Sequence, residues 1–388
     1  MKKSTSSTVL FLPGIVIAIV LMTFLMVGVL INLNIRYQTE YVQKIVDDIG
    51  PEQLFSYFLR SENHYFHQPN EAEEDLFSIG NLTRLSLLLS TNIIPEDART
   101  FLGRELPGLS YYDTEISVAG EGVNLATLPM ESSPPLDVLL KEREIAEDQL
   151  KGREQEVVPQ TPNTKVPAVF VYQTHSWESF LPLLKNAKVP NDATSNDNRV
   201  NVIALGTRLS NNLLKKGIGV KHDQTNMTQE LHKRKWKDTK SYNLSGEIVQ
   251  ATAKTEGDLE YYIDIHRDST RKKSTTKTIN GKDYARLYFV IGKGHADYEK
   301  NEAFAKKLHY ELEKQFPGIS KGVYLKKKTE LTNGIYNQEV SDRAILLEVG
   351  GVDNNLDELE RSVDAFAEVF SDVYWKERKA QEVNGDAD

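Results

Sequence analysis

Eight histidines and no cysteine restrict where this chain of 388 residues can do metal or acid–base chemistry. Any metal ligand must then come from His, Asp or Glu. Three segments gather those residues at or just past apolar runs of strand length. The first is Ala168-Val169-Phe170-Val171-Tyr172 followed by Gln173-Thr174-His175-Ser176-Trp177-Glu178-Ser179. The second is Tyr262-Ile263-Asp264-Ile265-His266-Arg267-Asp268-Ser269, and the third is Ile345-Leu346-Leu347-Glu348-Val349-Gly350-Gly351. His175 and Glu178, three apart, share a face if the chain turns helical after the strand, and with His266 they complete a His-Glu-His shell for zinc. A catalytic zinc site keeps three protein ligands and an open fourth position for water. Glu348, a carboxylate in an apolar run that is costly to bury unpaired, is then the free base beside that water, able to move its proton to a leaving amine. Asp264 and Asp268 flank His266 and are placed to orient its other ring nitrogen. Arg267 is a candidate to hold a substrate carboxylate, with a structural pair to Asp264 or Asp268 as the alternative. His222, in Val220-Lys221-His222-Asp223, also follows a strand-like run and is a candidate cleft residue.

The elements that must position these groups are legible from periodicity. Val166–Tyr172, Tyr261–Ile265, Arg286–Ile291 and Ile345–Val349 are short, apolar and rich in β-branched or aromatic residues, as buried strands are. Between them run helical stripes: Val202, Leu205, Leu209 and Leu213; Phe304, Leu308 and Leu312; and Leu356, Leu359, Val363, Phe366 and Phe370 behind the capping candidates Asn354 and Asn355. Gly217-Ile218-Gly219-Val220 closes the first helix and opens another strand. Alternation of this kind predicts an α/β domain over 168–378, with a mostly parallel sheet sandwiched by helices and ligands at the carboxyl ends of its strands.

Upstream, Val9 to Ile31 is apolar apart from Thr23. At about 1.5 Å per residue such a run is long enough for a hydrocarbon core of about 30 Å. We read 1–8 as a cytoplasmic tail and 9–32 as one transmembrane helix. Lys2 and Lys3 precede the span, which places the rest of the chain outside the cytoplasm. Residues 37–157 read as a small helical or irregular spacer region, with the charge-dense 141–156 as a solvated helix. The Pro-punctuated 158–167 reads as a linker, and 379–388 as a flexible tail. His64 and His67 form a weaker candidate metal pair in the spacer. A net charge of −9 argues against nucleic acid as partner. Hydrophobic residues at 39% against 27% charged allow a packed globule. Cysteine's absence removes thiol catalysis and disulfide scaffolds, and no Gly-x-Ser-x-Gly elbow or Walker loop is present. Lys272, Lys273, Lys277 and Lys282, on an expected hairpin, and Lys326-Lys327-Lys328 read as solvated basic faces, with an anionic polymer as the sharper alternative.

With those residues in place, the sequence resembles the stage II sporulation protein P family, membrane-anchored cell-wall hydrolases of endospore-forming bacteria. The likeness runs through Thr174-His175-Ser176-Trp177-Glu178-Ser179, His222-Asp223, Ser241-Tyr242 with Ser245, Ile263-Asp264-Ile265-His266-Arg267-Asp268-Ser269, and Leu347-Glu348-Val349-Gly350-Gly351 with Asn354. It extends to the anchor and to Glu62-Asn63-His64-Tyr65-Phe66. A further His-Asp pair common in the family is replaced here by Asn226-Met227-Thr228-Gln229-Glu230. The resemblance implies a zinc amidase-like fold and an N-acetylmuramoyl-L-alanine amidase acting on peptidoglycan, with endopeptidase activity on peptide cross-links. It also implies a place in engulfment, at the sporulation septum or engulfing membrane, beside stage II sporulation proteins D and M. Carried over, His175, Glu178 and His266 are zinc ligands and Glu348 the catalytic carboxylate. Asp197 is the alternative carboxylate ligand, since related amidases place theirs later in sequence. A zinc carboxypeptidase trimming stem peptides and a non-catalytic wall-binding scaffold are the competing readings.

Overall fold

The structure, a computed structural model, describes residues 114–385 apart from 124–127, 129–133, 154–157, 162–163 and 330–331. The expected tail at 1–8, the span at 9–32, the candidate pair His64 and His67, and the spacer up to residue 113 all lie outside the described residues. Among those described, no helix is long and apolar enough to cross a membrane.

Seven strands form one sheet: β1 (Thr114–Ala119), β2 (Val169–Tyr172), β3 (Val220–His222), β4 (Tyr261–Asp268), β7 (Leu287–Gly292), β8 (Ser320–Lys326) and β9 (Arg343–Gly351). Their order is β1-β8-β7-β9-β4-β2-β3. The pairs β2/β3, β2/β4, β4/β9 and β7/β8 are parallel, while β1/β8 and β7/β9 are antiparallel. The sheet is therefore mostly parallel, as the alternation of strand and helix required. β2, β4 and β9 run the same way, so their carboxyl ends, each carrying one of the three singled-out segments, meet at one edge. β5 (Thr276–Ile279) and β6 (Lys282–Ala285) make the expected separate hairpin. Its Asn280-Gly281 turn has φ of 50° and 75°, the left-handed pair that a tight hairpin turn demands.

Each face of the sheet has its own cover. Val169, Val171, Ile263, Ile265, Ile345 and Leu347 point to one side and pack on α1 (Val202–Lys215), α4 (Tyr298–Gln315) and α5 (Leu356–Gly385). All the stripe residues named above are buried there. Each large apolar side chain so buried contributes about 1.5–3 kcal/mol. Asn201 caps α1 by accepting the Ile203 N–H at 3.0 Å, and Asn355 caps α5 by accepting the Glu358 N–H at 3.0 Å. The opposite face carries Phe170, Tyr172, Tyr262, Tyr288, Val290, Tyr324 and Leu346. It is covered by α3 (Ser241–Thr255) and by Tyr336, with α2 (Met227–Lys233) alongside through Met227 and Leu231.

Two expectations change. Thr114–Ala119, inside the stretch read as spacer, is an edge strand paired with β8; six residues without a clear alternation carry little strand signal until a partner edge exists. The charge-dense 141–153 also forms no long helix. A single 3-10 turn spans Glu147–Leu150, and Ile145 bridges Leu184. Some of its charges pair with distant side chains at the surface: Arg153 with Asp357 and Glu360, and Glu147 with Arg199. β8 is a further strand that the pattern concealed, because Lys321 interrupts its apolar run. That lysine is fully buried, its Nζ 3.0 Å from Asp268 Oδ2 and 4.9 Å from the ring centroid of Tyr288. Truncating one partner of such a pair strands the other charge, so Lys321→Ala is expected to lower stability by about 3–5 kcal/mol in denaturant titrations. A neutral effect would show that the pair is solvated.

Candidate metal centre

After β2 the chain turns at once: the Glu178 N–H donates to the His175 carbonyl at 2.9 Å. The turn, rather than a full helix, puts both side chains on one side. β4 brings His266 to meet them from the neighbouring strand. His175, Glu178 and His266 each offer a ligand atom within 4.8 Å of the others, and their exposure is 2%, 1% and 1%. Glu178 lies between the imidazoles, with Oε1 3.4 Å from His175 Nδ1 and Oε2 3.4 Å from His266 Nδ1. Atoms bound to zinc at about 2.0–2.1 Å in a tetrahedron are about 3.3 Å apart, so each imidazole stands near ligand spacing from the Glu178 oxygen that it faces. Glu178 Oε1 also meets no hydrogen-bond partner among the described residues. Two imidazoles and a carboxylate, with no thiolate, are a donor set that suits zinc. The residues fit the metal.

The second ring nitrogens each face an oxygen, that of His266 by charge contact rather than an aligned hydrogen bond. His175 Nε2 is 3.1 Å from Ser241 Oγ, and His266 Nε2 is 3.2 Å from Asp264 Oδ1. Burial by itself would raise the pKa of Glu178, but His266 and His175 beside it hold the carboxyl well below the usual carboxylate range. Burial likewise opposes charge on His266, yet Asp264 and Glu178 outweigh it and raise its pKa well above the ordinary value. Tyr242 from α3 stacks along His266 (centroids 6.3 Å apart, planes 13° apart) and meets His175 edge-on at 5.4 Å. Trp177 stacks on His175 at 4.8 Å. The centre sits deeper than the open zinc pocket expected from the sequence, with half-buried Tyr242 over it.

Glu348 arrives by register. It is opposite His266 across β4/β9 and opposite Tyr288 across β7/β9, and directly paired residues project to the same face. It is 6% exposed, more than any of the three donors. Of the two flanking aspartates, Asp264 is the one that faces His266 Nε2, at 3.2 Å, whereas Asp268 pairs with Lys321. Asp197 does not join this cluster: it forks onto the Nε and an Nη of Arg199, and the carboxylate between the two imidazoles is that of Glu178.

Two other candidates are not brought to the centre. Arg267 neither faces solvent nor pairs with Asp264 or Asp268. Its Nε donates to the Ser179 carbonyl, one Nη to the Ala193 carbonyl and the other to Ser269 Oγ, each at 3.0 Å, and its backbone N–H donates to Glu178 Oε2 at 3.0 Å. A buried guanidinium takes the nearest carbonyls, so it fixes the segment after His175 and Glu178 and is not available to substrate. His222 pairs with Val171, which pairs with Ile263, so it lies on the face opposite Asp264 and His266. Its Nε2 is 3.2 Å from Gln173 Nε2. Both groups sit where a Cβ on Gly206 would come within 2.3 Å of Gln173 and 2.6 Å of His222, so only glycine leaves room. Burial pushes the His222 pKa down to about 4. Thr174, Ser241 and Tyr242 carry no role in the sequence reading beyond their place in the segments of family likeness; the i, i+4 spacing of Ser241 and Ser245 on a helix face is a further signal. The lysines of the hairpin region are partly spent on ion pairs, Lys272 to Glu358 and Lys277 to Glu121.

Comparison with known proteins adds a family. The family model described as Stage II sporulation protein P matches residues 96–371. A curated relative, Stage II sporulation protein P of Bacillus subtilis (strain 168), is 39% identical over 392 aligned residues, covering 99% of this chain and 95% of the relative. Among solved structures, an N-acetylmuramoyl-L-alanine amidase from Clostridium difficile 630 is similar at a TM-score of 0.32 and 14% identity, covering 55% of this chain and 97% of that one.

Zinc titration with metal analysis checks the centre: His175→Ala, Glu178→Ala and His266→Ala are expected to lose tight binding, while Asp197→Asn keeps it. Retention of zinc by His266→Ala would remove this centre from consideration. His222 makes a separate pH prediction. It stays neutral in the fold down to about 4 but protonates near 6.5 when unfolded. It therefore adds stability that is full above about 6.5 and lost as pH falls towards 4. The variant His222→Gln is expected to show a shallower loss of melting temperature across that window.

Proposed function

The chain belongs to the stage II sporulation protein P family, and from that membership and this centre we propose that it is a zinc-dependent N-acetylmuramoyl-L-alanine amidase of peptidoglycan. One observation carries the reading: two imidazoles and a carboxylate within 4.8 Å at the strand ends, with a second carboxylate, Glu348, in register beside His266. His175, Glu178 and His266 would hold the ion. When bound, zinc supplies a Lewis acid for the scissile carbonyl and lowers the pKa of an attacking water to about 7. Glu348 accepts the proton of that water and returns it to the L-alanine nitrogen as the bond to the lactyl carbonyl breaks. Asp264 and Ser241 keep the two imidazoles in the tautomer and orientation that ligation needs, and Tyr242 shields them from bulk water.

Cleavage of peptide cross-links by the same groups is part of the proposal, since the bond is again an amide. We place the activity in engulfment, beside stage II sporulation proteins D and M. The 9–32 segment would anchor the chain in the cell membrane and leave the hydrolase outside the cytoplasm. A carboxypeptidase is the weaker reading. It needs a cation to hold a free terminal carboxylate, and Arg267, the residue that suggested one, gives its guanidinium to Ser179, Ala193 and Ser269.

The full chain in detergent, incubated with purified peptidoglycan, tests this. New amino termini on L-alanine should appear with zinc and vanish with chelator, and Glu348→Gln should slow release by about 10²–10⁴-fold while still binding zinc. Loss of only a terminal residue from uncross-linked stems would favour the carboxypeptidase. Full biological activity in His175→Ala would favour the scaffold.

A further inference from the structure

We infer that Asn337, in the turn that precedes β9, is a positioning residue for the metal centre, acting on His266 through a chain of buried hydroxyls. The inference rests on the reading of His266 as a ligand. Asn337 Nδ2 donates to Ser245 Oγ at 2.8 Å. Ser245 Oγ lies 2.8 Å from Thr174 Oγ1, which lies 2.6 Å from Asp264 Oδ2. Asp264 Oδ1 accepts the Thr174 N–H at 2.8 Å and faces His266 Nε2 at 3.2 Å. Thr174, Ser245 and Asp264 are all buried.

Proton counting gives the chain a direction. A hydroxyl carries one proton and a carboxylate carries none to give, so the Thr174 proton goes to Asp264. Thr174 Oγ1 is then an acceptor, and the Ser245 proton is the one that can fill it; the other acceptor within reach of Ser245, the Tyr242 carbonyl, is farther at 3.4 Å. That leaves Ser245 Oγ to accept, and the amide of Asn337 supplies the donor. Every bond runs towards Asp264, and successive bonds polarise one another in the same sense. The result is a carboxylate fixed in rotation, with Oδ1 3.2 Å from His266 Nε2, and its charge favours the ring orientation that turns Nδ1 to Glu178.

The turn holds Asn337 in place by means that a passive loop would not need. Tyr336 and Asn337 both have left-handed backbone, with φ of 57° and 56°. Asn tolerates that region, but a bulky side chain is an outlier there, and such residues persist only where surroundings over-determine them. Here they do. Asn333 Oδ1 accepts the N–H of Tyr336 at 2.6 Å. Tyr336 is buried against Tyr288, Val290, Tyr324 and Leu346 and meets Tyr242 edge-on at 5.2 Å. Gln338 ties the turn to β7, donating to the Val290 carbonyl and accepting from Gly292, at 2.8 and 2.9 Å. Gly246 on α3 leaves the space: a Cβ there would come within 2.9 Å of Asn337 Oδ1.

The test is zinc affinity of the full chain, measured by competition with a chromogenic chelator, alongside thermal melting. Asn337→Asp keeps the size and the left-handed tolerance but turns the donor into an acceptor, and Asn337→Gly keeps the backbone and deletes it. Both are expected to weaken zinc binding by about 10-fold with near-unchanged melting of the metal-free protein. Thr174→Val, which touches Asp264 directly, should lose up to about 100-fold, and Thr174→Ser should restore it. Wild-type zinc affinity in Asn337→Asp would overturn the chain, as would equal losses in Thr174→Ser and Thr174→Val. A wild-type protein that binds zinc but releases nothing from peptidoglycan would refute the proposed activity and leave this inference standing, so the two fail separately.

Discussion

Glu178 is a carboxylate withdrawn from water, and the strand-end region is organised around keeping it charged. A buried ion without partners costs several kcal/mol. The compensation comes from two imidazoles and the backbone N–H of Arg267. A bound dication would complete it. Two elements deliver the partners: the buried central strand β4 brings His266 and the N–H of the next residue, Arg267, and the turn that carries Glu178 brings His175. The Arg267 guanidinium then closes the loop by holding the Ser179 and Ala193 carbonyls. The carboxylate, its partners and the turn that presents it therefore depend on one another, and a change at any of them is felt at the site.

The sheet makes this possible by treating its faces unequally. One is filled with aliphatic residues and three helices. The other carries tyrosines together with Asp264, His266 and Glu348 in one pleat register, and Asp268 follows beyond a register shift. β7 is antiparallel to β9, so the beginning of β7 and of β8 lies at the edge where β2, β4 and β9 end. That reversal is what sets Tyr288 beside Glu348 and Lys321 against Asp268. With β7 parallel instead, the carboxylates would face the end of β7 and lose this buried cation.

The same dependence extends upstream of the proline-rich segment. β1 closes the sheet on the β8 side, and residues 144–146 pair with the loop at 183–185 through the Ala146 N–H to Leu183 and the Lys185 N–H to Glu144. That loop follows closely on the turn that carries His175 and Glu178. The folded unit thus begins well before residue 158, in keeping with a family match that starts at residue 96.

Much of this was legible in the chain itself. Alternation of apolar runs with helical stripes gave the α/β class, because burial on both faces imposes those periods whatever the partner. His175, Glu178, His266 and Glu348 stood out because ionisable residues at strand ends are costly unless used. The roles of Arg267, His222 and Asp197 were not readable, since a side chain's partner depends on which loop lies within a few ångströms and which way the pleat turns. His222 falls on the wrong face by one residue of register, and Arg267 meets carbonyls that only the folded turn supplies. β1 and β8 were hidden for a related reason: an edge strand and a strand with a buried lysine lack a pattern of their own. Sequence by itself determined which residues could do the chemistry and the layers they belong to, because composition and period act locally. Tertiary structure alone decided which of them meet, because strand order, register and the reversal of β7 join residues far apart in the chain.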